Sequence, residues 1–146
     1  MSELTESQRE TLAAAAARIL PSDDGPGAAE AGVAEYVAAA LGEERLNGWL
    51  PFFVHGLGRI EAISRETLGK PFPEASSQEQ DSVLRQLQAI PEPHLRHFFG
   101  QLVRLCVEGF LGDPRYGGNR DGLGWRYVGY PHDEMEEDGC LRAIPG

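Results

Sequence analysis

Four histidines, two cysteines and a scatter of carboxylates are the groups in this 146-residue sequence that could do chemistry, and their spacing limits what that chemistry could be. His94 and His97 stand one helical turn apart, a spacing that could begin a metal site, but no third ligand accompanies them. Asn119-x-Asp121-Gly122 has part of the spacing of a calcium loop, with Gly117 where the first oxygen ligand would stand. Gly122-x-Gly124-x-x-Tyr127 lacks the third glycine of a dinucleotide turn and follows no strand pattern. Asp23 and Asp24 lie in a Pro/Gly turn without the alternating ligands calcium needs, and one or the other is expected to cap the next helix. Cys106 falls in an apolar helical pattern and is expected to be a buried small hydrophobe; Cys140 is free or paired, and no C-x-x-C supports zinc. No Gly-x-Ser-x-Gly, His-Glu-x-x-His or Walker lysine is present. His55 lies beside an apolar helix face and reads as a satisfied core or boundary histidine rather than a catalytic one. No catalytic residue and no metal-ligand set is assigned.

The chemistry that does stand out is recognition. Residues 112–131 hold six glycines, two prolines, three tyrosines, one tryptophan, three arginines and two aspartates. Glycine costs about 1 kcal/mol per helix position and proline about 3, so this stretch is no helix. It is too aromatic for a solvated linker. The expectation is a long ordered loop, held by buried rings and by turns needing glycine at positive φ. Its composition suits an interface, since tyrosine, tryptophan and arginine dominate binding energy. Arg115, Tyr116, Asn119, Arg120, Trp125, Arg126, Tyr127 and Tyr130 are the candidate partner-binding residues. Gly112, Asp113, Pro114, Gly117, Gly118, Asp121, Gly124, Gly129 and Pro131 are the candidates that shape the loop. Asp113 and Asp121 could equally satisfy the arginines within the loop, with Trp125 and Tyr127 capping the chain's own core.

Composition sets the frame. The net charge of −10 argues against nucleic acid and against an anionic membrane surface. No run of about 20 apolar residues could span a bilayer. Residues 2–5 show neither a basic n-region nor a twin arginine, so the chain as written is expected to be cytoplasmic, and periplasmic only if a signal was trimmed or the partner directs export.

Stepping along the chain, one domain over 1–146 is expected: a helical mount over 1–111, the ordered loop over 112–131, and an acidic tail over 132–146 in which five of residues 132–138 are acidic. Thr5 and Gln8 form a capping box for a first helix that Pro21 stops, with Leu12, Ala15, Ala16, Ile19 and Leu20 on one face. A second helix is predicted over 28–41, with Ala29, Val33, Tyr36, Val37, Ala40 and Leu41 inward. A short helical turn precedes a third helix over 51–68, which Trp49 staples and which buries Phe52, Phe53, Leu57, Ile60 and Ile63. Phe72 is expected to tuck into the core. Overlapping capping boxes, Ser76 with Glu79 and Ser77 with Gln80, start a fourth helix burying Val83, Leu84, Leu87 and Ile90. The fifth, over 94–111, has the most hydrophobic face and is expected at the centre, delivering the chain into the loop. The predicted fold class is all-α, about five helices in a compact bundle followed by the long loop.

Gly109-Phe110-Leu111-Gly112-Asp113-Pro114-Arg115-Tyr116-Gly117-Gly118-Asn119, followed by Gly124-Trp125 and Gly129-Tyr130-Pro131, resembles the signature of the gluconate 2-dehydrogenase subunit 3 family. Gln8-Arg9-x-Thr11-Leu12, Ile19-Leu20-Pro21, Gly27-Ala28-x-x-Ala31-Gly32-Val33 and Phe98-Phe99 fit the same resemblance. It implies the small, non-catalytic subunit of a flavin-dependent sugar or sugar-acid dehydrogenase. No cofactor is implied in this chain. FAD is implied in a large catalytic partner that resembles the glucose–methanol–choline oxidoreductases, and a cytochrome c subunit often completes the complex. The chain departs from exported members in lacking the twin-arginine signal. Two other classes stay open at this point: a stand-alone small-molecule binding module, and an independent enzyme with an acid–base site built from Asp113, Asp121 and a histidine.

Overall fold

The computed structural model describes residues 3–22 and 27–112, and its elements follow from local signals that can be named. Helix α1 (Glu6–Ile19) starts where the Thr5 side chain accepts from the Gln8 N–H at 3.1 Å and the Gln8 side chain accepts from the Thr5 N–H at 2.8 Å. Two of the four orphan amides of a helix start are involved, as the capping box requires. Leu12, Ala15 and Ala16 are buried; Ile19 and Leu20 are half-buried.

The predicted second helix is two helices. α2 (Ala28–Ala31) and α3 (Val33–Leu41) are separated by Gly32, whose φ of 71° lies in the left-handed region that other L-residues avoid. The break changes which residues face inward: Ala28 and Ala31 are buried, while Ala29, expected inward, is exposed. The capping role expected of Asp23 and Asp24 falls outside the described residues.

A 3-10 turn (Asn47–Trp49) leads into α4 (Leu50–Leu68), where Pro51 occupies the first turn and the rings of Trp49 and Phe52 meet at 5.1 Å. Phe53, Leu57, Ile60 and Ile63 are buried and Phe52 half-buried. A second 3-10 turn (Phe72–Glu74) buries Phe72 completely. Its N–H donates to the Glu61 carboxylate at 3.0 Å, and its carbonyl accepts from the Gln80 amide at 2.9 Å.

That last bond resolves the two overlapping capping boxes that open α5 (Ser77–Ala89). Ser76 and Glu79 form theirs. Gln80 is buried and spends its side chain on Phe72, so the Ser77–Gln80 box does not form. The Glu79 carboxyl is held below the ordinary glutamate range, first by the Ser76 N–H and then by Lys70. Ile90, expected inward, caps α5 half-buried.

α6 (Pro93–Leu111) buries Leu95, Phe98, Leu102, Leu105, Cys106, Gly109 and Phe110, and it touches each of α1 to α5. The central place expected for it is shared. α1 also touches all five other helices. Ala15 and Ala16 on α1 present almost no side-chain bulk, so neighbours can approach closely. One core cluster joins the six helices and the Phe72 turn, with Trp49 of the first 3-10 turn packed against it, and within it Phe53 and Phe98 meet edge to face, 5.0 Å apart at 84°. Among the described residues the structure is helical with no strand, and no helix is long and apolar enough to cross a membrane.

Candidate partner-binding surface

The candidate site begins where α6 ends. Gly109 sits against Tyr36 of α3: a Cβ at this position would lie 2.8 Å from Tyr36 Cδ2. The Tyr36 hydroxyl donates to Glu108 Oε1 at 3.4 Å, and Arg104 Nε reaches Glu108 Oε2 at 3.4 Å. Burial, followed by the neighbouring Glu108 charge, raises the Tyr36 hydroxyl above the ordinary tyrosine range, so it remains a proton donor at neutral pH. α3 and α6 are therefore tied together near the C-terminal end of α6.

Gly112, the first of the predicted loop-shaping residues, caps α6 with φ −75° and ψ 176°. Its backbone is extended rather than left-handed, so the positive φ expected of the loop glycines does not apply to it. A Cβ there would lie 2.7 Å from the Glu108 carbonyl, so lack of room is the constraint. The other predicted site residues lie outside the described residues: Asp113, Pro114, Arg115, Tyr116, Gly117, Gly118, Asn119, Arg120, Asp121, Gly124, Trp125, Arg126, Tyr127, Gly129, Tyr130 and Pro131.

The Gly27-Ala28-x-x-Ala31-Gly32-Val33 stretch has a physical account of its own. The Ala28 N–H donates to the Leu20 carbonyl at 2.8 Å, closing the turn between α1 and α2. A Cβ on Gly27 would lie 2.4 Å from that same oxygen, and α2 and α3 both pack on α6.

The described histidines, His55, His94 and His97, are placed elsewhere. His55 Nε2 lies 3.0 Å from Glu92 Oε1, and Arg59 reaches Glu92 Oε2 at 3.4 Å. Phe52 and His94 meet at 5.4 Å beside them, and a shallow cleft of about 230 Å³ lies among Pro51, Phe52, His55, Glu92 and His94. Both Glu92 oxygens are engaged, so the group reads as a clamp from α4 to the α6 N-terminus rather than an acid–base pair. Sequence reasoning missed Glu92, because its partners are 33 and 37 residues away and no local pattern points to them. His55 is at the boundary, its side chain 45% exposed and engaged with Glu92, so of the core and boundary placements open to it the boundary one holds. His94 and His97 are exposed on α6, and among the described residues no group of three His, Cys, Asp or Glu side chains could hold a metal. Cys106 is buried, as its apolar setting predicts, and burial pushes its thiol up to about 12; it is protonated at neutral pH and a poor nucleophile.

A comparison with family models matches residues 6–131 to gluconate 2-dehydrogenase subunit 3. No curated protein and no solved structure matches the chain. The match takes in every described helix and also the Arg/Tyr/Trp-rich segment that follows Gly112, leaving out only residues 1–5 and 132–146. The chain belongs to the gluconate 2-dehydrogenase subunit 3 family.

Proposed function

We propose that this chain is a non-catalytic small subunit that binds and stabilises the FAD-carrying large subunit of a sugar or sugar-acid oxidoreductase of the glucose–methanol–choline type. The observation that carries the reading is the family match, which spans residues 6–131 and so takes in both the described helices and residues 113–131. The composition of that segment supports it, because arginine and aromatic side chains are the usual anchors of protein interfaces. The described residues contain no strand, so a strand–turn–helix cradle for a flavin pyrophosphate is not among them. The proposal puts FAD in the large subunit, where it would supply the hydride chemistry, with a cytochrome c subunit as a further electron-accepting partner.

Binding only the folded large subunit would stabilise it by mass action, by about 2.7 kcal/mol when the small subunit is at 100 times its dissociation constant. The test is co-expression with a candidate FAD-carrying large subunit of the glucose–methanol–choline type. The expected result is a soluble, FAD-loaded large subunit that turns over a sugar substrate when this chain is present and is depleted when it is absent. A large subunit that folds, binds FAD and turns over equally well alone removes the stabilising role. Trp125→Ala combined with Arg120→Ala is expected to weaken co-purification; an unchanged complex moves the docking site away from that segment.

A further inference from the structure

The connector between α4 and α5, residues 69–76, is anchored by side chains of both helices it joins. Gly69 turns the chain out of α4 at φ 70°. The buried Ser64 hydroxyl of α4 donates to the Lys70 carbonyl at 2.7 Å. Glu61 of α4 accepts the Phe72 N–H, and Gln80 of α5 donates to the Phe72 carbonyl. One further anchor differs in kind, because it depends on a charge at each end. The ammonium of Lys70, the only lysine in the sequence, reaches Glu79 Oε1 at 3.0 Å. The same oxygen accepts the Ser76 N–H at 2.9 Å. A single carboxylate oxygen therefore joins the start of the connector, its end and the first turn of α5.

We infer that Glu79 is an acid-released latch: ionised, it ties Lys70 to Ser76 and closes the connector; protonated, it lets the connector open while the helices around it stay folded. Protonation removes the charge that attracts Lys70 and converts an acceptor-only group into one that is partly a donor. The Glu79 carboxyl is held below its ordinary 4.5, by the Ser76 N–H first and by Lys70 second. A depressed folded value means that the contribution is complete above the unfolded value and is lost as pH falls through the folded one. The latch is thus closed at neutral pH and released in acid, below 4.5. The other charged groups on the surrounding elements have engagements of their own. Glu61 is paired with Arg65 on α4, and Asp81 of α5 with Arg18 of α1. Glu74 of the second 3-10 turn lines a cleft with Glu10, Glu61 and Arg65, and Glu79 is not part of that cleft. Lys70 and Glu79 are both partly exposed, so opening requires no buried charge to be uncovered. Proteins open locally at segments of this kind, where backbone groups are held by side chains instead of by a helix ladder.

The test is amide hydrogen exchange on the full chain from pH 7 to about pH 3, with Phe72, Glu74 and Ala75 as reporters of the connector and Leu57 and Ile60 as reporters of α4. In wild type, protection at the connector is expected to fall about fivefold relative to Leu57 and Ile60 as pH drops. Glu79→Gln can still close the capping box with Ser76 but offers Lys70 no charge. Its connector is expected to show the lowered protection already at pH 7 and no further fall in acid. Lys70→Met keeps the length of the side chain and should lower protection at pH 7 as well, with the double variant no lower than Glu79→Gln alone. The latch is overturned if the wild-type ratio does not change with pH, or if Lys70→Met protects the connector as wild type does. It is also overturned if Glu79→Gln keeps the wild-type pH profile, which would move the titration to another carboxylate, or if Leu57 and Ile60 lose protection in step, which would make the event global unfolding.

Discussion

α4 and α6 each carry two glycines within their span that are alike in sequence terms and opposite in structural cause. Gly56 and Gly109 are buried. A Cβ on Gly56 would lie 2.2 Å from Phe98 Cδ2, and one on Gly109 would lie 2.8 Å from Tyr36 Cδ2. Gly58 and Gly100 are exposed and open, with no described atom within 4 Å of where a Cβ would be. The inward glycines are required by the fold, because an aromatic ring occupies the volume a methyl would need. The outward ones weaken their helices with no return among the described residues. The difference teaches that a helical glycine acquires meaning only from what sits across from it.

The comparison breaks most visibly at Gly56. Gly56→Ala is expected to destabilise the chain by about 2 kcal/mol net of the helix-propensity gain, since Phe98 is fully buried against Phe53 and has little freedom to yield. Phe98→Ala alone is expected to cost about 4 kcal/mol. Urea melts of the two single variants and the double variant should show a double loss smaller than the sum, because removing the ring removes the clash. Additive losses would show that Gly56 is not constrained by Phe98.

Gly109→Ala is expected to cost less, about 1 kcal/mol, because Tyr36 is only half-buried and can swing aside. That movement should loosen the Tyr36–Glu108 contact and bring the tyrosine hydroxyl back toward the ordinary range, which absorbance titration would follow. An unmoved titration would separate Gly109 from Tyr36.

Gly58→Ala should have the opposite sign, stabilising the chain by about 0.7 kcal/mol in thermal melts, because the position is helical and open. Destabilisation there would erase the distinction between the two glycine classes.

The smallest effect lies outside both helices, in the Arg18–Asp81 pair that ties α1 to α5 through 2.8 and 3.2 Å hydrogen bonds. The Arg18 guanidinium holds the Asp81 carboxyl below its ordinary 3.8. The pair's contribution is therefore present above that value and is lost as pH falls through the depressed folded-state value. Asp81 is partly exposed, so Asp81→Asn is expected to cost only about 0.5 kcal/mol at pH 7 and to lose its effect in strong acid. A loss that stays constant down to strong acid would assign the effect to packing instead of charge.

Much of the platform was legible in the chain by itself. The Thr5–Gln8 and Ser76–Glu79 boxes, Pro21 as a helix stop, Pro51 at a helix start and the apolar spacing of α4 to α6 are local signals, readable within one or two turns. The family was legible too, because the 109–131 motif combines residues rarely found together. Other features were not legible, each for a stated physical reason. The break at Gly32 depends on a dihedral angle that glycine permits but does not announce. Gln80 had two possible partners, and only the approach of Phe72 chose between them. Glu92 joins His55 and Arg59 across more than thirty residues of sequence. The predicted partner-binding residues beyond Gly112 fall outside the described residues, so their part in the site rests on composition and on the family.

Helix identity, the apolar faces and family membership were set by the order of residues, since caps, propensity and periodicity act over three to eleven positions. Which helices share the centre, which of the two capping boxes closes, and which glycines are filled against a ring or left facing outward were decided only when the helices packed. Those outcomes depend on volume shared between residues far apart in the chain, and no local spacing encodes it.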